Sequence, residues 1–328
     1  MSFRNQRHYV GQIPFVENGT SSIDIPRGFM LRSIDLKLAG TVTVGVANGT
    51  AVADDAPQRL IRRIELIADG RDTIKAITGA QLKYHNMFYL KEAPEATVSG
   101  FVIGAQTFTG FLTLQLEQPL SIKAIDTLLD TRRHETIQLK ITWGTGSDII
   151  DPAATTTFVF SNVTLDVAVY ETTEPSDVLF SQHRDYYISR QITATTSDFD
   201  ISIPVGNIIR SIMLRCHTTT AGILALSDTL VNRVSLIADN AFFPINRMLW
   251  YMVQERNNLD YEADGSPQGV ALLDFSEDGR ISAALQTADI ADLKLRLDVT
   301  ASGATDYVEA VIKEIVPADV HEAAALIR

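Results

Sequence analysis

The chain is poor in cysteine. Cys216 is the only cysteine among 328 residues, so neither an internal disulfide nor a zinc site built from several cysteines can form. Scarce cysteine is typical of proteins that mature in a reducing compartment, and we expect synthesis in a cytoplasm. We expect Cys216 itself to be a buried apolar side chain on a strand.

Positive charge is also scarce. Lysine and arginine number 28 against 40 aspartate and glutamate residues, which gives a net charge of −12. Proteins that bind nucleic acid carry clustered basic residues because they neutralise phosphates. The N-terminus supplies only Arg4, Arg7 and His8, too few for a polyanion-binding arm. We therefore predict no direct, sequence-specific binding of nucleic acid.

Long apolar runs are missing from the chain. No segment approaches the ~18 consecutive apolar residues that a membrane-spanning helix needs. The first residues, MSFRNQRHYV, also lack the apolar stretch of a secretory signal. We expect a protein that is neither secreted through such a signal nor anchored by a helix.

The familiar motifs of catalysis are absent too. There is no G-x-x-x-x-G-K-[ST] phosphate loop and no G-x-S-x-G nucleophile elbow. The six histidines are scattered singly, at His8, His85, His134, His183, His217 and His321. Tandem jelly-roll enzymes of the cupin kind hold their metal on an H-x-H pair, which this chain lacks. We predict no catalytic residue, no cofactor and no metal ligand.

Acidic residues do cluster in three loops, and their oxygen atoms are ligands that Ca²⁺ accepts. The clusters are Asp54 with Asp55, Asp148 with Asp151, and Asp274 with Glu277 and Asp278. None has the D-x-[DN]-x-[DN]-G spacing of a calcium loop. We interpret them as solvated loop charge.

One long segment of the sequence occurs twice. Residues 23–38 read IDIPRGFMLRSIDLKL and residues 201–216 read ISIPVGNIIRSIMLRC, with eight identities in sixteen positions. A second block, RIELIADG at 63–70, returns as RVSLIADN at 233–240. The offset is 178 (201 minus 23) for the first block and 170 (233 minus 63) for the second. Because this period is the size of a whole domain, the sequence predicts a duplicated domain.

Apolar residues alternate with polar ones along most of the chain, which is typical of strands with one buried face. Ile34, Leu36 and Leu38 form one such run, and Leu293 to Val299 lines up by order with Ile137 to Trp143. Each copy thus has about eight strands.

Helical pattern is scarce and falls after the paired LIAD strands. Thr78 should cap a helix through Tyr89, and its counterpart should run from Asn246 through Val253, so that Leu82 and Tyr84 match Leu249 and Tyr251.

Many short strands without a βαβ rhythm indicate an all-β fold of two tandem eight-stranded jelly-roll barrels, side by side, with one short helix inserted in each. We place an N-terminal arm at 1–7, the first jelly roll at 8–177, the second at 178–316 and a C-terminal helical tail at 317–328. The boundary near Asp177 follows a polar linker, ETTEPSD, at 171–177.

Aromatic residues allow two interpretations, a sugar-binding platform or filling of the core. They include Trp143, Trp250, Tyr84, Tyr89, Tyr251, Phe242 and Phe243. Most fall on strand or helix patterns, so the core is the interpretation we favour.

The repeated blocks, the acidic composition and the single helix per copy resemble the double jelly-roll major capsid proteins of tailless, membrane-containing icosahedral bacteriophages. Corticoviruses, tectivirus coats and the adenovirus hexon belong to this lineage. The resemblance extends from about His8 to Val316.

The resemblance implies a structural, non-enzymatic coat protein, made in the host cytoplasm and located in the virion. Its homotrimers would present six similar barrels in a pseudo-hexagonal outline and tile the shell against neighbouring capsomers. Vertex or minor capsid proteins would be further partners, and the inner face would contact the viral membrane. Arg4, Arg7 and His8 would then touch lipid headgroups or the next trimer, unless this terminus is simply frayed.

Two rival hypotheses stay open at this stage. One is a non-enzymatic carbohydrate-binding or receptor-binding jelly-roll protein, and the other is a bicupin-type enzyme. Assembly into shells, glycan binding and metal content distinguish the three.

Overall fold

The computed structural model describes residues 5–91, 93–118, 127–173, 181–261, 267–276 and 279–317. The chain divides into two compact units, Met1–His183 and Arg184–Arg328. Asp177, where the sequence places the boundary, lies outside the described residues. The predicted helical tail also lies outside them from residue 318 onward, and Pro317 ends a strand.

The first unit contains twelve described strands and one helix. The strands are β1 (Asn5–Pro14), β2 (Thr20–Asp24), β3 (Met30–Gly45), β4 (Ala51–Val52), β5 (Ile61–Ala68), β6 (Asp72–Ile77), β7 (Ala96–Val98), β8 (Gly104–Gln115), β9 (Leu129–Asp130), β10 (Ile137–Trp143), β11 (Ile150–Asp151) and β12 (Thr157–Thr172). Helix α1 (Gly79–Leu90) lies between β6 and β7 in the chain.

The second unit contains most of β13 (Ser181–Ile192) and all later elements. They are β14 (Thr196–Ile203), β15 (Ile208–Thr220), β16 (Ile223–Leu226), β17 (Val231–Ala238), β18 (Phe242–Leu249), α2 (Trp250–Tyr261), β19 (Val270–Asp274), β20 (Leu285–Gln286), β21 (Leu293–Val299) and β22 (Thr305–Pro317). Short 3₁₀ turns occur at Gln58–Leu60, Thr131–Arg133, Gly146–Asp148 and Ile281–Ala283.

The two units have the same strand order. In the first, the main sheets run β1-β12-β3-β8 and β2-β10-β5-β6, and in the second they run β13-β22-β15-β19 and β14-β21-β17-β18. Most neighbouring strands come from distant parts of the chain and pair antiparallel, which is the jelly-roll arrangement of two four-stranded sheets. The predicted fold of two jelly rolls with one helix each is confirmed.

Alternating burial along the strands produces each core. On β3, Ile34, Leu36 and Leu38 are buried, whereas Asp35 and Lys37 between them are half-exposed. The partner strands alternate in step, because Leu36 lies opposite Val167 of β12 and Leu112 of β8. Burying such side chains contributes about 1.5–3 kcal/mol each, which makes the sheet interior the main source of stability.

Cys216 belongs to the core of the second unit, as predicted. It is fully buried on β15 among apolar side chains such as Leu214 and Val308. Burial raises the pKa of its thiol well above the ordinary value, because the thiolate would lose its hydration.

Helix α1 begins where the sequence predicts. The Thr78 Oγ1 accepts a hydrogen bond from the backbone N–H of Gln81 (3.1 Å), and the Gln81 Oε1 accepts one from the N–H of Thr78 (3.0 Å). This capping box satisfies two backbone donors that a helix start leaves open.

The predicted start of the second helix at Asn246 is wrong. Asn246 and Leu249 lie on β18, where Leu249 pairs with Arg233 of β17, and α2 begins only at Trp250. Pairing with the neighbouring strand satisfies the backbone groups of this segment, so a polar residue at 246 starts no helix there. The matching of Leu82 and Tyr84 with Leu249 and Tyr251 is therefore wrong as well.

Candidate functional site

Paired polar contacts occur at equivalent places in the two units. The N–H of Gly28 donates to the Thr131 Oγ1 (3.0 Å), and the N–H of Gly206 donates to the Thr287 Oγ1 (2.9 Å). Both glycines have a positive φ, +130° and +108°, which side chains rarely tolerate. The glycines of the repeated IPRG and IPVG segments therefore hold the same turn in both copies.

The aspartates of the two LIAD blocks also perform the same task. The Asp69 Oδ1 accepts from the backbone N–H of Glu135 (2.6 Å) and of Thr136 (3.2 Å). The Asp239 Oδ1 accepts from the N–H of Ala291 (3.0 Å) and of Asp292 (2.9 Å). Each carboxylate fixes the loop that leads into the strand beside its own.

A hydrogen bond from His134 and the backbone N–H bonds lower the pKa of Asp69, because these donors favour the ionised carboxylate.

An asparagine on each helix covers the outer edge of a strand. The Asn86 side chain donates to the carbonyl of Thr113 (2.7 Å) and accepts from its N–H (2.8 Å). Asn257 makes the same two bonds with Leu272, both at 2.8 Å. These amides occupy the place of a neighbouring strand and so protect a sheet edge. They align the helices at an offset of 171 (257 minus 86), one turn away from the predicted matching.

The arginine of each repeated RSI segment forms an ion pair. The Arg32 Nη2 lies 2.5 Å from the Glu117 Oε2, and the Arg210 Nη2 lies 3.4 Å from the Asp274 Oδ2. Asp274 also accepts from the Tyr261 hydroxyl at 2.6 Å. In the third acidic cluster, Asp274 therefore binds arginine and tyrosine side chains of the protein. Glu277 and Asp278 of this cluster lie outside the described residues.

The other two acidic clusters are also largely buried, although Asp54 is exposed. The buried Asp55 accepts from the Tyr84 hydroxyl and lies 3.2 Å from the Lys83 ammonium. Asp148 pairs with the Arg62 guanidinium at 2.9 Å. Asp151 is also buried, and burial raises its pKa. These three carboxylates are therefore internal, which corrects their interpretation as solvated loop charge.

Metal-binding geometry is not found in the part of the chain that the structure describes, where no group of three or more His, Cys, Asp or Glu side chains is placed to hold an ion. Within the same ranges, neither helix is long and apolar enough to cross a membrane.

The aromatic residues do not form a common platform. Trp143 is buried and donates from Nε1 to the Ser21 Oγ (2.7 Å), and Trp250 is buried and donates to Asp228 (3.2 Å). Tyr84 and Tyr89 are buried too. The side chain of Phe242 is not described. Tyr251 and Phe243 are exposed, and Tyr251 lies on α2 with two other exposed apolar residues, Met252 and Leu259.

These three side chains make the outward face of α2 the candidate functional surface of the second unit. A groove of about 360 Å³ adjoins α2, and its lining includes Met248 and the Arg256–Asp260 ion pair (2.7 Å). Exposed apolar groups rimmed by charge are typical of protein-binding surfaces. Sequence reasoning did not identify this surface, because the matching of the helices was wrong by one turn.

Comparison with protein-family models gave no match, and comparison with curated protein sequences gave none either. Comparison with solved structures gave matches over almost the whole chain. A structure described as the STIV MCP has a TM-score of 0.78 at 14% identity and covers 98% of this chain and 100% of that one. A chain from the atomic structure of Sulfolobus Turreted Icosahedral Virus has a TM-score of 0.77 at 14% identity, covering 98% and 94%.

The major capsid protein P2 from bacteriophage PM2 has a TM-score of 0.66 at 14% identity, covering 96% of this chain and 99% of that one. At such identities the likeness establishes the fold, and it does so for each of the two units because the matches span almost the full length.

Proposed function

We propose that this chain is a major capsid protein: a structural, non-enzymatic subunit whose homotrimers tile an icosahedral virion shell. The observation that carries the proposal is one jelly-roll topology present twice in a chain that matches viral capsid proteins end to end. Three such chains contain six similar barrels, so a threefold particle has a nearly hexagonal outline and packs against like particles with few kinds of contact.

The contacts that the described side chains make favour a structural role over catalysis. Buried carboxylates such as Asp55 and Asp274 accept hydrogen bonds from tyrosine side chains and form ion pairs with lysine or arginine side chains. The repeated polar contacts hold loops and strand edges in place. The carbohydrate-binding alternative draws no support from the aromatic residues, because both tryptophans are buried and hydrogen-bonded internally.

We further propose that the protein lies in the virion after synthesis in the host cytoplasm, with neighbouring capsomers and vertex or minor capsid proteins as partners. Its acidic composition suits a shell whose inner neighbour is a membrane rather than nucleic acid. Arg7 and His8 lie on β1, where the Arg7 guanidinium stacks 4.6 Å from the ring centroid of Tyr170 and the His8 Nδ1 lies 3.6 Å from the Glu171 Oε2.

Native mass spectrometry of the purified chain tests the proposal. We expect the mass of three copies, and sheets or closed shells by electron microscopy when the concentration is raised. A protein that remains a monomer at high concentration in light scattering would refute it. Binding on a glycan array without any assembly would favour the carbohydrate-binding alternative.

A further inference from the structure

The outward faces of the two equivalent helices differ in burial. Aligned at the offset of 171, the outward positions of α2 correspond to residues of α1 that are at most 4% exposed: Ala80, Gln81, Tyr84, His85 and Phe88. On α2 the same positions are open, with Tyr251 61%, Met252 49% and Leu259 75% exposed. The first unit thus has its helix covered, and the second leaves an apolar helix face in solvent.

The outer face of one sheet shows the opposite difference. On β15 and β22, Met213 and Val311 are fully buried and the Arg215 side chain is only 3% exposed. The equivalent residues of the first unit are Asp35, Ala168 and Lys37, and all three are half-exposed. Tyr9, beside Ala168 in the register of β1 and β12, is 60% exposed. The first unit therefore leaves its sheet face open where the second has it covered.

We propose that the α2 face of one chain packs on this open sheet face in the first unit of a second copy. Each chain has one free surface of each kind, so the contact is head-to-tail, and such a contact forms a ring if the rotation closes. In a ring of three, each α2 face and each of these open sheet faces is covered once. The inference rests on the proposed function and identifies the surfaces that close the trimer.

The exposed apolar area on α2 is appropriate for a stable contact. A large apolar side chain carries about 150–250 Å², so Tyr251, Met252 and Leu259 of α2, together with Met248 near the end of β18, expose roughly 400 Å². That is about half of the ~800 Å² that each partner buries in a standard interface. No comparable helix face is exposed on α1, where Leu90 alone is exposed among the large apolar residues.

Each of the two surfaces carries one charge without an ion-pair partner among the described residues. Glu255 is exposed between Met252 and Leu259 on α2 and, within the described ranges, takes part in no ion pair. The sheet face of the first unit offers the exposed Arg7, which is stacked on Tyr170 and has no carboxylate partner among the residues described. A free carboxylate on the helix and a free guanidinium on the sheet favour this pairing over helix against helix.

A charge placed on the helix face tests the contact. We expect Leu259→Asp and Met252→Asp to raise the concentration at which the trimer half-dissociates by roughly 100-fold, because central apolar anchors dominate interface energies. Ile103→Asp is the matched control, since Ile103 is 55% exposed in the loop before β8 and belongs to neither surface. Trimers of unchanged stability in both helix variants would overturn the proposal.

Cross-linking tests the partner surface without destabilising it. Because the single cysteine is fully buried, Leu259→Cys and Ala168→Cys introduce the only reactive thiols. With a short bifunctional maleimide we expect the double variant to give covalent dimers and trimers, and either single variant to give monomers. Dimers from Leu259→Cys alone would show helix against helix and overturn the proposal.

The outcomes for the two proposals are distinct. A trimeric parent protein whose helix variants remain trimeric refutes these surfaces and leaves the capsid function standing. A parent protein that is monomeric at every concentration refutes the capsid function itself.

Discussion

Removing the Asn257 amide should destabilise the second unit strongly. Its two hydrogen bonds to the backbone of Leu272 are both 2.8 Å long, and both residues are almost completely buried. After Asn257→Ala, the N–H and C=O of Leu272 lose both of these hydrogen-bond partners. Leaving a buried polar group unsatisfied costs about 1–3 kcal/mol, so two groups should lower the free energy of unfolding by about 3 kcal/mol.

Thermal unfolding at a fixed protein concentration measures this loss. For a unit of this size, about 3 kcal/mol corresponds to a decrease in Tm of roughly 6–12 °C. Hydrogen exchange of peptides that cover β19 should show faster exchange at the amide of Leu272. Ser202→Ala is the control, because Ser202 is an exposed residue of β14 in the same unit and should change stability by less than about 0.5 kcal/mol. If the two variants have the same Tm, the asparagine does not protect the strand edge and the reasoning fails.

Other perturbations have equally direct outcomes. Gly206→Ala places a side chain on a residue with a φ of +108° and should lower the free energy of unfolding, measured in urea, by more than about 1 kcal/mol. An unchanged urea midpoint would contradict the requirement for glycine at this turn. Because the pKa of Asp69 is lowered in the folded protein, its contribution to stability is complete above the ordinary value of 3.8 and is lost as the pH falls through the folded pKa. The stability difference between the parent and Asp69→Asn should therefore shrink below pH 4. A difference that stays constant with pH would refute this. Cys216 should resist alkylation by iodoacetamide at pH 8 until the protein unfolds, and rapid modification of the native protein would show that it is accessible.

Features that repeat over a long stretch were predictable from the sequence. Alternation at Ile34, Leu36 and Leu38 determined both the strand and its buried face, because successive side chains of a strand point to opposite sides. The capped helix at Thr78 was predictable since its signal is local: a threonine followed three residues later by glutamine.

Features that depend on distant partners were not predictable. The predicted start of α2 was wrong because the pairing of Leu249 with Arg233 extends β18, and nothing near residue 246 in the sequence indicates that partner. Likewise, the buried role of Asp55 requires Tyr84, which is distant in the sequence. A loop carboxylate looks solvated in the sequence until the fold brings its donor close.

The two sides of a single repeated strand show which positions the two copies keep and which they change. Ile34 and Leu36 recur unchanged as Ile212 and Leu214, and all four face a barrel core. Between them, the first copy has Asp35, which is half-exposed, and the second copy has Met213 at the same position, which is fully buried. The inward side obeys the same packing constraint in both copies, because either barrel needs the same core. The outward side is free to differ, and it differs in the direction that burial requires: a carboxylate where water reaches the sheet, and a thioether where water is excluded.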